Sequence, residues 1–450
     1  MTTNHGDLLG GASPEETKIR GELKYRAHRA RQGWRPWILF LICALFYFYE
    51  FFARVAPGVL QPQLIQDTGA SEGEFGLAMS MYFLAYAPSQ LLVGRLLDRF
   101  GVRAVVAPAA VIVALGCLIF ASTNDVALMG LGRFLQGLGS SVAYLGVIYL
   151  AMVWFPPRRH GMVPGLTVAM GTLGASSAQF PLLVLAQTWG WRVPLLVCAA
   201  VGLIIALMLW KCLPARPNWF IELMREDGFD PKSTQPFSGL IKEMVRNRNL
   251  WLISFAAAGL YLPISVIGDL WGVSFLNIES GLSTDQSSLL TTLIFIGFAF
   301  GGIAAGHLSD RLRRRKIIFV LGAISASGIA IVIAFTTLSI VWLTALLMLA
   351  LGFATGAQVL AFVMTADVVK RHARAINLAF VNFVVMVLPV LIQPAVGFLS
   401  QMGVSHGKMP SPALELRGYG LVVILMLMAT GLALCVRDTK PRQETFMASH

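Results

Sequence analysis

Charge is scarce in this chain. Only 13% of its 450 residues are Asp, Glu, Lys or Arg, against 56% hydrophobic residues and a mean hydropathy of +0.70. A soluble domain carries about a quarter charged residues, so a soluble globular protein of this size is excluded. The five cysteines (Cys43, Cys117, Cys198, Cys212 and Cys435) stand singly, with no CxxC pair and no histidine at metal-ligand spacing. They read as small core residues, and neither a metal nor a cofactor is expected. No nucleophile, base and oxyanion set can be assembled from the sequence, so an enzyme is not expected either. Residues 1 to 35 are basic but lack a small-residue cleavage site after a short apolar core. They read as a solvated tail rather than a removable signal peptide. The formal net charge of +12 does not point to nucleic acid, because the basic residues sit in short connectors rather than on one folded surface.

What the chain has in abundance is apolar runs long enough to cross a bilayer. About twelve are bounded by charge or by Gly/Pro turns, at roughly 36–60, 74–94, 104–121, 126–153, 161–187, 191–213, 249–276, 286–306, 317–336, 339–367, 374–399 and 419–436. The expected fold is an all-α membrane protein of twelve transmembrane helices in two six-helix halves. Its parts are a basic tail (1–35), an N-terminal half (36–213), a linker (214–248), a C-terminal half (249–437) and a short tail (438–450). The linker holds Pro214, Pro217, Pro231 and Pro236, with amphipathic pieces at Trp219 to Met224 and Phe237 to Val245; it reads chiefly as a tether. Of the 35 Lys and Arg residues, 30 fall on the tails and one alternate set of connectors, and only Arg192, Lys408 and Arg417 on the other. Basic residues are retained in the cytoplasm, so both termini are expected there.

The run GRLLDRFGVR at 94–103 is a charged turn between two spans, and GHLSDRLRRRK at 306–316 repeats its order of Gly, Leu, Asp and Arg. A repeated connector implies an internal duplication. Gly94, Leu96, Asp98, Arg99, Gly101 and Arg103 resemble motif A of the major facilitator superfamily, and Gly306, Leu308, Asp310 and Arg311 its second copy. Arg133, Gln136, Gly137 and Gly139 resemble motif B on helix 4. Trp154-Phe155-Pro156 and Gly190-Trp191-Arg192 resemble the family's boundary signatures, so the resemblance covers roughly residues 35 to 437. Ala53-Arg54-Val55 followed by Gly58, with Tyr47 and Tyr49 upstream, is similar to the helix 1 signature of the anion:cation symporter branch, in which the arginine binds the substrate's carboxylate. Two departures stand out: Ala53 occupies the place of that branch's aspartate, and Ser140-Ser141 that of its helix 4 glutamate. Drug/proton antiporters of the superfamily carry GxxxGPxxGG in span 5. Here Gly171, Gly174 and Pro181 stand without a Gly-Pro pair, which disfavours efflux.

Ionisable groups inside a bilayer are costly and are functional candidates by default. They are Glu50 and Arg54 in span 1, Arg133 in span 4, Asp269 towards the far end of span 7, and His307 and Asp367 at the inner ends of spans 8 and 10. Glu50 and Arg54 lie one helical turn apart and are expected to pair, while Pro57-Gly58 should break or bend the helix and free backbone carbonyls. A functional pair is the favoured reading over a merely structural one, because an apolar residue at each position would be cheaper still. Arg133 is read equally as a proton-coupling residue, which the resemblance implies, or as a side chain snorkelling out of a glycine-packed helix. Asp269 is expected to be solvated near the outer surface, with a coupling role as the alternative. Candidate substrate groups are Arg54, Tyr47, Gln136, Tyr144, Gln179, Gln358 and Asn382. Gln90, Gln136, Tyr144, Gln179, Gln358, Asn377, Asn382 and Gln393 are each more readily explained as helix-to-helix hydrogen bonds. Glu50 is the nearest replacement for the missing proton carriers, with Arg133 and Asp269 next. Gly94, Asp98, Arg99, Arg103, Gly306, Asp310 and Arg311 are expected to form a gate, the aspartates holding the halves together on the cytoplasmic side; Arg313 to Lys316 read as topology determinants.

The function this supports is secondary active transport by alternating access, as proton-coupled uptake of a small organic anion. The alternatives are an exporter of drugs, metabolites or siderophore-like compounds, uptake of amino acids or other nutrients, and a nutrient sensor that does not transport. The expected partners are a small solute, protons and lipid, with the chain a monomer in a bacterial inner membrane. A cysteine placed at Gln235 should be labelled only from the cytoplasmic side and one at Pro410 only from outside; labelling of both from one face would overturn the twelve-span arrangement.

Overall fold

The computed structural model of the protein describes residues 33–156, 159, 162–214, 244–335, 340–369, 374–402 and 412–438. The basic N-terminal tail, most of the linker with its amphipathic pieces, and nearly all of the C-terminal tail lie outside the described residues. Among the described residues, twelve helices are long and apolar enough to cross a membrane: α1 (Arg35–Thr68), α2 (Glu72–Phe100), α3 (Val102–Ala121), α4 (Val126–Trp154), α5 (Met162–Trp189), α6 (Arg192–Cys212), α7 (Arg248–Ser280), α8 (Thr284–Leu312), α9 (Arg315–Ala334), α10 (Val341–Val368), α11 (Ile376–Gln401) and α12 (Arg417–Cys435). No strand occurs among the described residues. In a bilayer every backbone group must be satisfied within the protein, which is why apolar runs of this length settle as helices. Even α12, with 19 residues, reaches about 28 Å at 1.5 Å per residue.

The duplication is written in the caps. The left-handed glycines that end α1 and α7 are Gly69 and Gly281, with φ of 66° and 63°. Capping boxes open the next helices, Ser71 with Glu74 for α2 and Ser283 with Gln286 for α8. Gly94 and Asp98 correspond to Gly306 and Asp310. Each of these pairs is separated by 212 positions, so the two halves share one register through their first two helices.

Close approach of helices rests on small residues, as expected where lipid supplies no drive for helices to associate. Gly137 of α4 lies against the Tyr82 carbonyl of α2, and Gly301 and Gly352 make the same kind of contact between α8 and α10. The boundary signatures tie helix ends together. Trp191 Nε1 and Arg192 Nη1 donate to Asp67 at the end of α1, at 2.8 and 3.1 Å. Phe155 sits edge-on to Trp37 at 4.9 Å, and Arg35 lies over the Trp154 ring. Leu115 and Leu118 on α3, Val197 and Ile204 on α6, Ile324 on α9 and Met428 on α12 are exposed, as lipid-facing side chains are.

How the halves meet differs between the two faces of the molecule. At the face opposite the termini they share one apolar core, in which Val59, Phe75 and Leu182 join Leu270 and Val396. Towards the termini the N-terminal half keeps a separate core of its own around Phe46, Val147 and Leu209. The shared face is sealed by small residues: Gly73 lies under Phe398, Gly76 against the Gln393 carbonyl and Trp271, and Gly397 against the Glu72 carbonyl. At its edge Gln187 donates to Asp285 at 2.8 Å. Placing a methyl at Gly137 forces two backbones apart, so Gly137→Ala should cost about 1–3 kcal/mol and lower the melting temperature in detergent. Gly306→Ala, where an added Cβ meets nothing within 4 Å, should leave the melting temperature unchanged.

Candidate functional site

Midway along α1, Pro57 has no N–H to offer the carbonyl of Ala53, and its ring crowds that turn. The helix does not break there, as the sequence had suggested; it continues to Thr68. Arg133 of α4 makes this possible. Its Nη1 donates to the Ala53 carbonyl and its Nη2 to the Arg54 carbonyl, both at 3.0 Å, while Nη1 also donates to Gln136 Oε1 at 2.8 Å. The guanidinium stacks on Tyr82, 4.8 Å from the ring centre, and only 3% of the residue is exposed. Arg133 therefore does not snorkel outward. It caps the freed carbonyls, which are occupied by protein rather than left for a solute.

The same helix face carries Glu50 and Arg54, and their expected pairing is not formed. Arg54 reaches across to the other half: Nε donates to Asp269 Oδ2 at 3.0 Å, and Nη2 donates to Asp269 Oδ1 at 3.4 Å and to the Tyr261 hydroxyl at 2.7 Å. Both ends of the ion pair are 2% exposed, and Phe51 lies beneath the guanidinium at 4.3 Å. Asp269 is thus buried and paired rather than solvated. α7 runs on to Ser280, which leaves Asp269 about 16 Å from its end. Glu50 turns the other way. Its Oε2 accepts from the Tyr82 hydroxyl at 2.8 Å, while Oε1 is buried with no hydrogen-bond partner.

Asp269 is aimed at Arg54 by an irregularity in α7. Residues Pro263–Trp271 form a π-helical stretch, a wide turn that displaces side chains from the α-helical register and is common at functional sites. Its loosened carbonyls are capped from two sides: Gln393 of α11 donates to the Ser265 carbonyl at 2.7 Å, and Gln179 of α5 to the Gly268 carbonyl at 2.9 Å. Gly58 lets α1 close on the stretch, since a Cβ there would stand 2.6 Å from the Asp269 carbonyl oxygen. The logic at these irregularities is local: the carbonyls they free are met by a polar side chain of a neighbouring helix. Gln90 does the same for the discontinuity in α4, donating to the Ser141 carbonyl at 2.7 Å.

The predicted solute-binding residues therefore separate into groups. Arg54, with Glu50, Tyr82, Tyr261 and Asp269, forms one buried cluster at the seam between halves. Tyr47 and Tyr144 pack against one another 5.6 Å apart, and Tyr47 against Phe51 at 4.9 Å, so both adjoin it. Gln136 and Gln179 are committed to Arg133 and to Gly268. Gln358 is buried in the 3₁₀ turn Gly356–Val359 of α10, and Asn382 is half-buried on α11. Sequence reasoning missed Tyr82 and Tyr261, which provide a hydroxyl to each charge; nothing in their local sequence separates them from core aromatics.

The residues expected to form a gate lie at the face bearing the termini. Asp98 is half-buried near the end of α2; Gly94 and Gly306 are at open positions where an added Cβ meets nothing. Arg99 lies over Phe100 and Arg103 over Trp210, and Arg311 is exposed. Asp310 stands 4.0 Å from Arg315 with three quarters of its side chain exposed, so the ion pair it makes lies within its own half rather than between halves. Arg315 is not a mere topology determinant: it is largely buried and pairs with Asp367 at 3.0 Å, joining the ends of α9 and α10.

The sequence profile described as Major Facilitator Superfamily matches residues 40–278 and 270–447. The chain belongs to this superfamily. It is accordingly a multi-pass membrane transporter of small molecules and not an enzyme. A probable sulfoacetate transporter of Cupriavidus necator is 26% identical over 311 residues, covering 66% of this chain and 70% of that one. A hexuronate transporter of Bacillus subtilis is 26% identical over 288 residues, covering 63% and 67%. Among solved structures, a bacterial homologue of the human lysosomal transporter Spinster, in an inward-facing and unoccupied conformation, superposes with a TM-score of 0.72 at 16% identity over 90% of this chain and 97% of that one.

If Arg133 is a cap, Arg133→Leu exposes two buried carbonyls without partners, at about 1–3 kcal/mol each. The variant should melt several degrees lower in detergent than the wild type, and a melting temperature that does not move would exclude the capping role.

Proposed function

We propose that the protein is a proton-coupled uptake carrier for small organic carboxylates, with Arg54 as the anion-binding residue. One observation carries this reading: the planar fork of Arg54, buried at the seam between the two halves, already holds a carboxylate, that of Asp269, through Nε and Nη2. A site that seats one carboxylate with a tyrosine hydroxyl beside it has the charge and geometry to seat another. The relatives named for sulfoacetate and hexuronate transport agree with an anion as the solute, as does the anion:cation symporter signature around Arg54.

Glu50 is the proton carrier in this reading. Its Oε1 is buried without a donor, so the carboxyl can take up a proton there without giving up the Tyr82 bond. Protonation removes a negative charge one helical turn from Arg54 and so strengthens the attraction of that site for an anion. By linkage, anion binding strengthens proton binding equally, which is what symport requires. Arg54 and Asp269 lie at the seam where alternating access must open and close. The distribution of basic residues supports cytoplasmic termini, so the sealed face is the external one and solute enters when it opens. The halves 36–213 and 249–437 move against each other about the 214–248 linker, and the charged turns at Asp98 and Asp310 act at the cytoplasmic gate.

The test is reconstitution in vesicles with radiolabelled sulfoacetate, galacturonate and 4-hydroxybenzoate as probes, comparing counterflow with uptake driven by a proton gradient. For the probe that the wild type carries, Arg54→Ala should weaken binding about 100-fold or more, and Arg54→Lys should recover little of it, because an ammonium lacks the fork. Glu50→Gln should keep counterflow and lose gradient-driven accumulation. Normal binding by Arg54→Ala would sink the carboxylate assignment; accumulation by Glu50→Gln would move the coupling role elsewhere.

A further inference from the structure

The pair between Arg54 and Asp269 joins the two halves inside the bundle, beneath the face that is sealed. Arg54 comes from α1, Asp269 from α7, and the small-residue contacts at Gly58, Gly73, Gly76 and Gly397 close the seam around and beyond them. Closing this face with no anion present would otherwise bury a guanidinium with no carboxylate on its nitrogens, since Glu50 one turn away is bonded to Tyr82 instead, and breaking such a buried pair is costly. Asp269 removes that cost. It meets Arg54 through two nitrogens, with the Tyr261 hydroxyl completing the set, an arrangement a bound carboxylate solute would itself seek. The π-helical stretch that aims Asp269 is held by Gln179 from the opposite half and Gln393 from its own, so the residue is built into position.

Building on the carboxylate site proposed at Arg54, we infer that Asp269 is an internal anion ligand, occupying the place of the solute's carboxylate when the carrier is empty and yielding it when a solute binds. The consequence is functional. A carrier whose anion site is neutralised only by solute cannot close while empty, and is confined to exchanging one solute for another. A carrier with its own substitute closes empty and returns for the next load, which net uptake demands. Asp269 also limits what can compete: a solute must offer Arg54 a carboxylate-like pair of oxygens at least as well placed as those of the side chain it displaces.

The experiment uses the full-length protein in lipid nanodiscs, its five cysteines replaced by alanine, with spin labels at Gln66 and Leu289 on either side of the sealed seam and no transported solute present. Pulsed electron resonance should give one short distance for the parent. Asp269→Asn should add a longer distance, shifting the ratio of closed to open by about tenfold or more. Acetate, the probe anion, should restore the short distance, whereas acetamide should not. Asp269→Glu, which keeps a carboxylate, should stay short without acetate and shows that the position tolerates substitution. The double variant Arg54→Ala with Asp269→Asn should be insensitive to acetate. An Asp269→Asn variant that stays closed without anion, an open form that acetate fails to close, or an acetate effect that survives loss of Arg54 would each overturn the inference. These readings report opening and closing rather than transport, and the first is made with no anion present, so they are separable from the Arg54→Ala binding test, whose failure would remove the carboxylate site itself.

Discussion

A permanent cation placed where water is excluded must be answered by the protein, and much of this seam is arranged around that requirement. Arg54 is 2% exposed and cannot shed its charge. Its answer, Asp269, lies 215 positions away in sequence and reaches it only because α7 widens into a π-helical stretch. Widening loosens carbonyls, and loosened carbonyls in a dry interior need donors; Gln179 and Gln393 provide them. Packing the widened turn against α1 needs a residue without a side chain, and Gly58 stands there. One buried charge thus accounts for a bulge, two glutamines and a glycine drawn from four helices. On the other side of the seam Pro57 creates the same kind of debt in α1, and Arg133 meets it.

The architecture was legible in the sequence because it depends on properties that sum along the chain. Twelve apolar runs and the repeated charged turn each report on a local segment, and each maps onto a helix or its end. Pro57-Gly58 marks a lost hydrogen bond and not a break, because a donor from α4 replaces it, and α1 runs on past the expected residue 60 to Thr68. The site was legible in its membership and not in its pairing. Glu50, Arg54, Arg133 and Asp269 could be picked out as charges that a bilayer penalises, but a spacing of four residues says only that Glu50 and Arg54 share a face. Which carboxylate wins the arginine is decided by the meeting of two halves, and no local pattern carries that information. The same holds for the glutamines, whose partners are carbonyls released by irregularities in other helices, and for Arg315, whose place in a run of five bases hid its burial against Asp367.

The two halves, though duplicated, use their shared register unequally. Under the 212-position offset that relates Gly69 to Gly281 and Asp98 to Asp310, Arg54 corresponds to Val266 and Asp269 to Pro57. Each half is irregular at this level of its first helix, one through a proline and the other through a π-helical stretch, but only one half supplies the cation and only the other the anion. The repairs differ as well. Arg133 caps α1 from within its own half, so that break stays satisfied however the halves move. The Gly268 carbonyl of α7 is capped by Gln179 from the opposite half. Parting the halves at this face would therefore uncover two things together, the fork of Arg54 and the backbone carbonyl of Gly268, the residue directly before Arg54's partner Asp269. On the carboxylate reading proposed above, a solute that brings a carboxylate and a hydrogen-bond donor satisfies both at once, which would give a duplicated scaffold a single asymmetric site at its seam.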